Sequence, residues 1–253
     1  MSAPLHLPRW ADTVLVPAIS VVAAFLVAGL VVLGIGENPL SATRYLIQGS
    51  LGTSEGLGFT LFYMTDFIFV GLAVAVAYHA GLFNIGGEGQ ATLAGLGIAL
   101  VLNNLTFLPG FLLIPLGILG AAAFGAAWAA VPGYLQAKRG SHIVITTIMF
   151  NFIASALMVY LLVNVLIAPG SMTPETRELT SGHVPFIHDL LAFAGITTGR
   201  SPLNASVFLA MASCVFVWVL LWHTPWGFEL RAIGHNAQAA AYAGIKLRRV
   251  TML

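Results

Sequence analysis

Charged side chains are scarce in this sequence. Asp, Glu, Lys and Arg make up 8% of its 253 residues, whereas a soluble globular domain carries roughly 25%. Hydrophobic residues make up 58%, and the mean hydropathy is +0.93. This composition excludes an ordinary soluble domain and predicts an integral membrane protein, because long apolar runs are typical of membrane-spanning helices.

Cysteines, basic runs and ATP-binding motifs are also rare or missing in this sequence. Cys214 is the only cysteine and lies in an apolar run, so it forms no intrachain disulfide and is predicted to pack as a small hydrophobic residue. The net charge is +1 and no basic run occurs, so nucleic acid is not a predicted partner. No G-x-x-x-x-G-K-[ST] run occurs, so the chain does not hydrolyse ATP by that route.

Apolar runs of about 20 residues predict membrane-spanning helices. Six such runs predict an all-α bundle of transmembrane helices that forms one domain over residues 1–253. A seventh helix begins near Val250, and the sequence ends at Leu253. The six predicted spans are residues 14–36, 59–80, 87–108, 111–131, 143–168 and 203–222.

The loops between the spans predict an orientation. Arg9, the pair at residues 138–139 and the basic segment 225–249 fall on one side of the membrane, while segments 37–58 and 169–202 fall on the other. Positively charged loops stay in the cytoplasm. We therefore expect a multi-pass protein with a cytoplasmic N-terminus. The histidines of segment 169–202 match no metal-site spacing, so we predict no metal and no bound cofactor.

A glycine motif at residues 81–90, GLFNIGGEGQ, interrupts the apolar pattern between the second and third spans. Glycine allows unusual backbone conformations and close approach of other groups. Asn84 is a predicted N-cap, so the following N–H groups would form a positive helix end. Broken helices with such ends build substrate sites in transporters. The predicted pathway residues in the motif are Asn84, Gly86, Gly87, Glu88 and Gln90.

Two other spans carry polar residues. Asp66 lies inside the second span, where a carboxylate faces either a wet cavity or the outer interface; both alternatives are open. Thr147, Asn151 and Ser155 recur at four-residue intervals in the fifth span, and we expect them to point inward. They either bond neighbouring helices or line a pathway. Glu88 likewise either borders the pathway or caps a helix at the cytoplasmic surface.

Two shorter patterns have local interpretations. The run GTSEG at residues 52–56 matches a serine-hydrolase elbow around Ser54, but that pattern needs a strand before it, and it lies here between two spans. Near the end of the chain, Asn236 predicts the cap of a short helix over residues 237–243 that stops at Gly244. By itself this helix is either a partner-binding element or a solvated connection.

Three runs resemble a known family. They are AYHAGLFNIGGEGQ at residues 77–90, ITTIMFNFI at 145–153 and LRAIGHNAQAAAYAGI at 230–245. They occur in the order found in bacterial ABC-transporter permeases for nucleosides and simple sugars, which are related to branched-chain amino acid and ribose permeases. His79, Asp66 and the pair at residues 141–142 depart from the pattern of that family.

The resemblance implies a permease, a transport subunit and not an enzyme, in the bacterial cytoplasmic (inner) membrane. Its partners would be an ABC ATPase that uses ATP, a second permease subunit and an extracytoplasmic solute-binding protein. The solute would be a nucleoside or purine, with a simple sugar next. Family members continue through further spans, so the chain looks short at its C-terminus. The implied ATPase-coupling residues are Arg231, Gly234, Asn236, Ala239, Ala240 and Gly244.

An alternative from a different class stays open. An ion-coupled secondary transporter or a channel would use Asp66 or Glu88 as its ion site. That alternative predicts uptake driven by an ion gradient without an ATPase partner.

Overall fold

A computed structural model of the chain describes residue 8, residues 10–179 and residues 181–252; Arg9, on which the predicted orientation partly depends, lies outside them. The described part is built from helices, with an isolated bridge between Phe186 and Asn204. The helices are α1 Val16–Gly34, α2 Pro39–Leu51, α3 Ser54–His79, α4 Gly87–Asn104, α5 Gly110–Tyr134, α6 Ile143–Asn164, α7 Ile187–Phe193, α8 Ser206–His223, α9 Pro225–His235, α10 Ala237–Tyr242 and α11 Leu247–Thr251.

Five helical segments of the described chain are long and apolar enough to cross a membrane. The chain is therefore an all-α, multi-pass membrane protein, as its composition predicts. The five segments are Thr13–Gly34, Ser54–His79, Gly110–Arg139, Ile143–Asn164 and Ser206–His223.

Helix α4 corresponds to the predicted third span but is not among these five segments. It is a continuous helix of 18 residues, but glycines and polar residues such as Gln90 and Asn103 interrupt its apolar sequence. Its buried residues nevertheless recur along most of its length, from Gly89 to Leu102. Helices α5 and α6 cover one face of α4, while Glu88, Gly95 and Ile98 on another face are exposed.

Contacts divide the chain into two compact units. The first contains α1, α2 and the start of α3 up to Thr60, together with Thr198–Ser201. Within it, the Thr60 hydroxyl donates to the Ser50 carbonyl (2.9 Å). The Ser54 hydroxyl oxygen accepts the Gly199 N–H (3.0 Å). Ser54 begins a helix that follows another helix, so the strand that a hydrolase elbow needs is not there.

Helix α2 is a feature that the sequence analysis treated as a polar connection. The Asn38 side chain accepts the N–H of Leu40 (2.9 Å), and Pro39 occupies the first helical position. Both features favour helix initiation. The prediction missed this start signal because the segment is less apolar than a membrane span.

The second unit, residues 61–197 and 202–253, has α4, α5 and α6 at its centre. Helices α4 and α5 approach so closely that a Cβ on Gly97 would lie 2.5 Å from the Gly120 carbonyl oxygen. On the other side of α4, Leu93 and Leu96 form a buried cluster with Ala154 of α6. The centre of this unit therefore depends on small residues at helix crossings.

The inward face of α6 differs slightly from the predicted one. Thr147 is 1% exposed, Asn151 is half-buried and Ala154 is fully buried, whereas Ser155 is exposed. A helix turns by about 100° per residue, so positions i, i+4 and i+7 share a face more closely than i, i+4 and i+8. The prediction for Ser155 was wrong for this reason.

Candidate functional site

Two side chains of α6 hold the backbone of the glycine motif. The Asn151 amide nitrogen donates to the Ile85 carbonyl (2.9 Å), and its amide oxygen accepts the Gly89 N–H (2.9 Å). The Thr147 hydroxyl oxygen accepts the Ile85 N–H (3.3 Å). Both side chains were predicted as pathway residues, and the structure places them directly against the motif.

Three glycines of the motif each allow a different neighbouring side chain to lie close to the backbone. A Cβ on Gly86 would lie 3.2 Å from the Thr147 Cβ, and a Cβ on Gly87 would lie 2.9 Å from a methyl carbon of Val70. A Cβ on Gly89 would lie 3.1 Å from the indole nitrogen of Trp128. The motif therefore lies where α3, α5 and α6 converge on the start of α4.

Close approach, rather than unusual backbone conformation, explains these three glycines. Positive φ angles within the motif are confined to Gly81, at +73°. Gly86 has φ −81° and ψ 7° and is itself the N-cap of α4. The predicted N-cap, Asn84, was wrong by two residues: its side chain accepts the Gly86 N–H (2.8 Å) and shapes the turn before the helix.

The polar side chains of the motif differ in their accessibility. Glu88 is exposed in the first turn of α4, while Asn84 and Gln90 are half-buried. Among the described residues, the N–H groups of Gly87 and Glu88 have no hydrogen-bond acceptor. The start of α4 thus presents free donors beside an exposed carboxylate.

Asp66 is exposed in the middle of α3. It precedes Val70 by four residues, so both lie on the face of α3 that contacts Gly87. At 1.5 Å per residue, Asp66 is about 6 Å from Val70 along the helix axis. Asp66 therefore lies roughly one helical turn from the Val70 contact, and its side chain is exposed.

The predicted coupling segment contains one helix that packs inward, α9. A Cβ on Gly234 would overlap the carbonyl oxygen of His79 and lie 3.1 Å from the Gly81 nitrogen. The Arg231 guanidinium lies 4.3 Å from the centre of the Trp222 ring. The His79 ring meets the same indole edge-on at 6.0 Å. Arg231 and Gly234 therefore fix α9 to the ends of α3 and α8.

Helix α10 forms the outward part of the same segment. The Asn236 side chain accepts the Ala239 N–H (3.0 Å), and Gly244 follows the helix with φ +87°, which confirms the predicted cap and stop. Asn236, Ala239 and Gly244 are exposed, whereas Ala240 is 4% exposed and packs inward. The exposed residues of α10 also include Gln238 and Tyr242, and Tyr242 is 94% exposed.

Comparison with known protein families identifies the family of this chain. Residues 56–253 match the family described as branched-chain amino acid transport system / permease component. The chain belongs to this permease family. Members are transport subunits rather than enzymes, in agreement with the absence of a Walker-type run.

Several curated permeases are similar over nearly the whole chain. A guanosine ABC transporter permease protein of Bacillus subtilis is 35% identical over 94% of this chain and 66% of its own length. A nucleoside ABC transporter permease protein of Lactococcus lactis is 34% identical over 95% of this chain and 66% of its length. A glucose ABC transporter permease protein of Haloferax volcanii is 31% identical over 92% and 62%. The chain thus spans 66% of the length of the first two. No solved structure matches the chain.

Trp128 of α5 is a candidate site residue of this permease that the sequence analysis missed. Its indole nitrogen is buried and has no hydrogen-bond partner among the described residues. Its ring packs against Phe150 at 5.2 Å between centroids. A tryptophan in an apolar helix gives no sequence signal of its own; only the fold places this N–H beside Gly89.

Proposed function

We propose that this chain is the membrane-spanning permease subunit of an ATP-binding-cassette importer for a small polar solute. The observation that carries the proposal is the Asn151 side chain holding both Ile85 and Gly89 of the glycine motif. Polar groups inside a membrane protein are concentrated where a solute passes or where helices meet. Here one amide fixes a motif that also exposes unbonded N–H groups.

In this proposal the solute passes the start of α4. The N–H groups of Gly87 and Glu88 are free donors for a carbonyl or hydroxyl oxygen of the solute, and the exposed Glu88 carboxylate is an acceptor for its N–H or O–H groups. Asn84, Gly86 and Gln90 shape the turn, while Thr147 and Asn151 hold it in place. Asp66 would border the same path from α3.

A nucleoside or purine is the proposed solute, with a simple sugar as the second choice. Support comes from the guanosine and nucleoside permeases, which are the more similar relatives, and from the glucose permease, which is somewhat less similar. Nucleosides carry several donors and acceptors and an aromatic base. The free N–H groups and the carboxylate at α4 can satisfy such groups.

The proposed partners are an ABC ATPase, a second permease subunit and an extracytoplasmic solute-binding protein. The exposed part of α10, centred on Ala239 with Asn236 and Gly244 at its ends, would contact the ATPase. ATP would be used by that partner. A second permease subunit would cover part of the exposed apolar surface of the described helices.

The proposed location is the bacterial cytoplasmic (inner) membrane, with the N-terminus in the cytoplasm. The proposal counts α4 as a sixth span, because its buried residues, from Gly89 to Leu102, pack against α5 and α6 along most of its length. With six spans, Lys138, Arg139 and the basic end of the chain lie inside, as positively charged loops do.

A reconstitution experiment tests the proposed function. The full-length permease is expressed with candidate ATPase and binding-protein genes from the same locus, and uptake of labelled guanosine and glucose is measured in membrane vesicles. We expect guanosine uptake that requires ATP and persists when ion gradients are collapsed. Uptake that follows an ion gradient and needs no ATPase would favour the secondary transporter instead.

A pull-down tests the proposed ATPase contact separately. Gly234 is unsuitable for this test, because a side chain there overlaps the end of α3. Ala239→Arg, on the exposed part of α10, is expected to prevent recovery of the ATPase. Ala194→Arg is the matched control, since Ala194 is also exposed but lies in the predicted outer loop. Equal recovery with both variants would contradict the proposed contact.

A further inference from the structure

Residues 80–86 join the end of α3, on which α9 packs, to the start of α4, and they include the first half of the glycine motif. The first end of this segment is a helix C-cap: the Gly81 N–H donates to the Tyr78 carbonyl (2.9 Å) and the Leu82 N–H to the Ala77 carbonyl (3.0 Å). With Gly81 at φ +73°, this is a Schellman arrangement. A Cβ on Gly81 would lie 3.3 Å from the Gly234 Cα, so α9 packs backbone to backbone on the cap.

Apolar packing fixes the same end to α9. Ala80 and Leu230 are buried in one cluster, and Leu82 and Ile233 pack against it. Close-packed side chains of this kind transmit displacement, because few voids are available to absorb it. A shift of α9 would therefore displace residues 80–82.

The second end of the segment is held by the candidate site. Ile85 is bonded through its carbonyl to Asn151 and through its N–H to Thr147. Gly81 and Ile85 are four positions apart, so their Cα atoms are no more than about 14 Å apart even in an extended chain. The segment is thus short and is fixed at both ends.

We propose that residues 80–86 are a mechanical connector that couples the position of α9 to the geometry of the glycine motif. Gly234 and Gly81 act as positioning residues, because their contact sets where the connector begins. Only the role of the connector in transport rests on the proposed function: in an importer, it would transmit movement of the ATPase-binding segment to the solute path. Its physical basis is the contacts within this chain.

The first test uses the full-length permease alone, without any partner. Ile85→Cys is introduced in a Cys214→Ala background, and the rate of its labelling by N-ethylmaleimide is measured. Ile85 is 38% exposed, and only its backbone makes the bonds to α6, so the probe leaves those bonds in place.

Adding Gly234→Ala should change this labelling rate by roughly fivefold or more, the size of a typical coupling between sites. Gly71→Ala is the matched control: Gly71 lies on α3, and a Cβ there meets no atom within 4 Å. We expect it to leave the rate unchanged. An unchanged rate with a folded Gly234→Ala variant would overturn the connector.

A second variant keeps the test decisive if Gly234→Ala does not fold. A Gly-Ser pair inserted between Leu82 and Phe83 lengthens the connector and leaves the contacts at both ends in place. In the assembled complex, this insertion should preserve ATP hydrolysis and abolish solute uptake. The same pair inserted after Gly195, in the predicted outer loop, is the control and should preserve both.

The outcomes separate the connector from the proposed function. Uptake at the wild-type rate in the Leu82–Phe83 insertion variant would overturn the connector while the importer stands. If the wild-type chain binds no ATPase and takes up no solute, the proposed function fails. The labelling experiment on the permease alone then still decides whether α9 and the motif are coupled.

Discussion

Asn151 of α6 donates its side-chain N–H to the carbonyl of Ile85, 66 positions earlier in the chain, at 2.9 Å. The amide oxygen of the same side chain accepts the Gly89 N–H, so both ends of the amide are bonded to one motif. The orientation of the amide is therefore fixed, since turning it over would place its NH₂ group against the Gly89 N–H and its oxygen against the Ile85 carbonyl.

Asn151→Asp should disrupt this arrangement, because a carboxylate has no donor for Ile85 and faces its carbonyl oxygen. We expect a loss of about 1 kcal/mol of stability, the net contribution of a typical hydrogen bond, because this bond is partly exposed. The measurement is thermal unfolding in detergent. Asn164→Asp is the control, because Asn164 bonds only its own helix at the exposed end of α6. Equal destabilisation by both changes would show that the bond to Ile85 is unimportant.

Gly97→Ala and Gly95→Ala should have different effects on stability, although the two glycines lie two residues apart on α4. A Cβ on Gly97 would lie 2.5 Å from the Gly120 carbonyl oxygen, whereas a Cβ on Gly95 meets nothing within 4 Å. We expect Gly97→Ala to destabilise by about 1–3 kcal/mol through overpacking. Gly95→Ala should be neutral or stabilise by up to about 1 kcal/mol. Thermal unfolding of both variants measures the difference; equal shifts would contradict the close packing of α4 on α5.

The sequence predicted the helical class and the position of the motif because apolar length and glycine clusters are local signals. It also placed Thr147 and Asn151 on the inward side of α6, since helical periodicity is regular over one turn. The packing of Gly234 and Arg231 could not be predicted from the sequence. Their inward contacts are with His79 and Trp222, on other helices, and no local pattern contains that information.

Glu175 provides a test outside the membrane-spanning helices. Hydrogen bonds from the hydroxyls of Thr173 (2.7 Å) and Ser171 (3.0 Å) lower the pKa of its carboxyl group. Because the folded-state pKa is below the unfolded one, the ionised carboxylate stabilises this turn at neutral pH, and the stabilisation is lost as pH falls through the lowered pKa.

Thr173→Val should raise the pKa of Glu175 towards its usual range by removing the stronger hydrogen bond. The pKa is measured from the carboxyl carbon shift of labelled glutamate, assigned with Glu175→Gln. Thr176→Val is the control, because the Thr176 hydroxyl donates to the Arg177 carbonyl instead. A pKa that does not change in the Thr173→Val variant would contradict the role of this hydroxyl.

Trp128→Phe should separate packing from solute binding at the motif. The buried indole N–H has no partner among the described residues, so removing it relieves an unsatisfied donor and offsets part of the cost of the smaller ring; we expect only a small loss of thermal stability. If that N–H binds the solute, the same change should raise the KM for uptake while the protein still folds and binds its ATPase. Phe150→Leu is the matched control, because it alters the ring that packs on Trp128 and leaves the donor in place. Loss of stability without any change in KM would mean that Trp128 only packs the helices together.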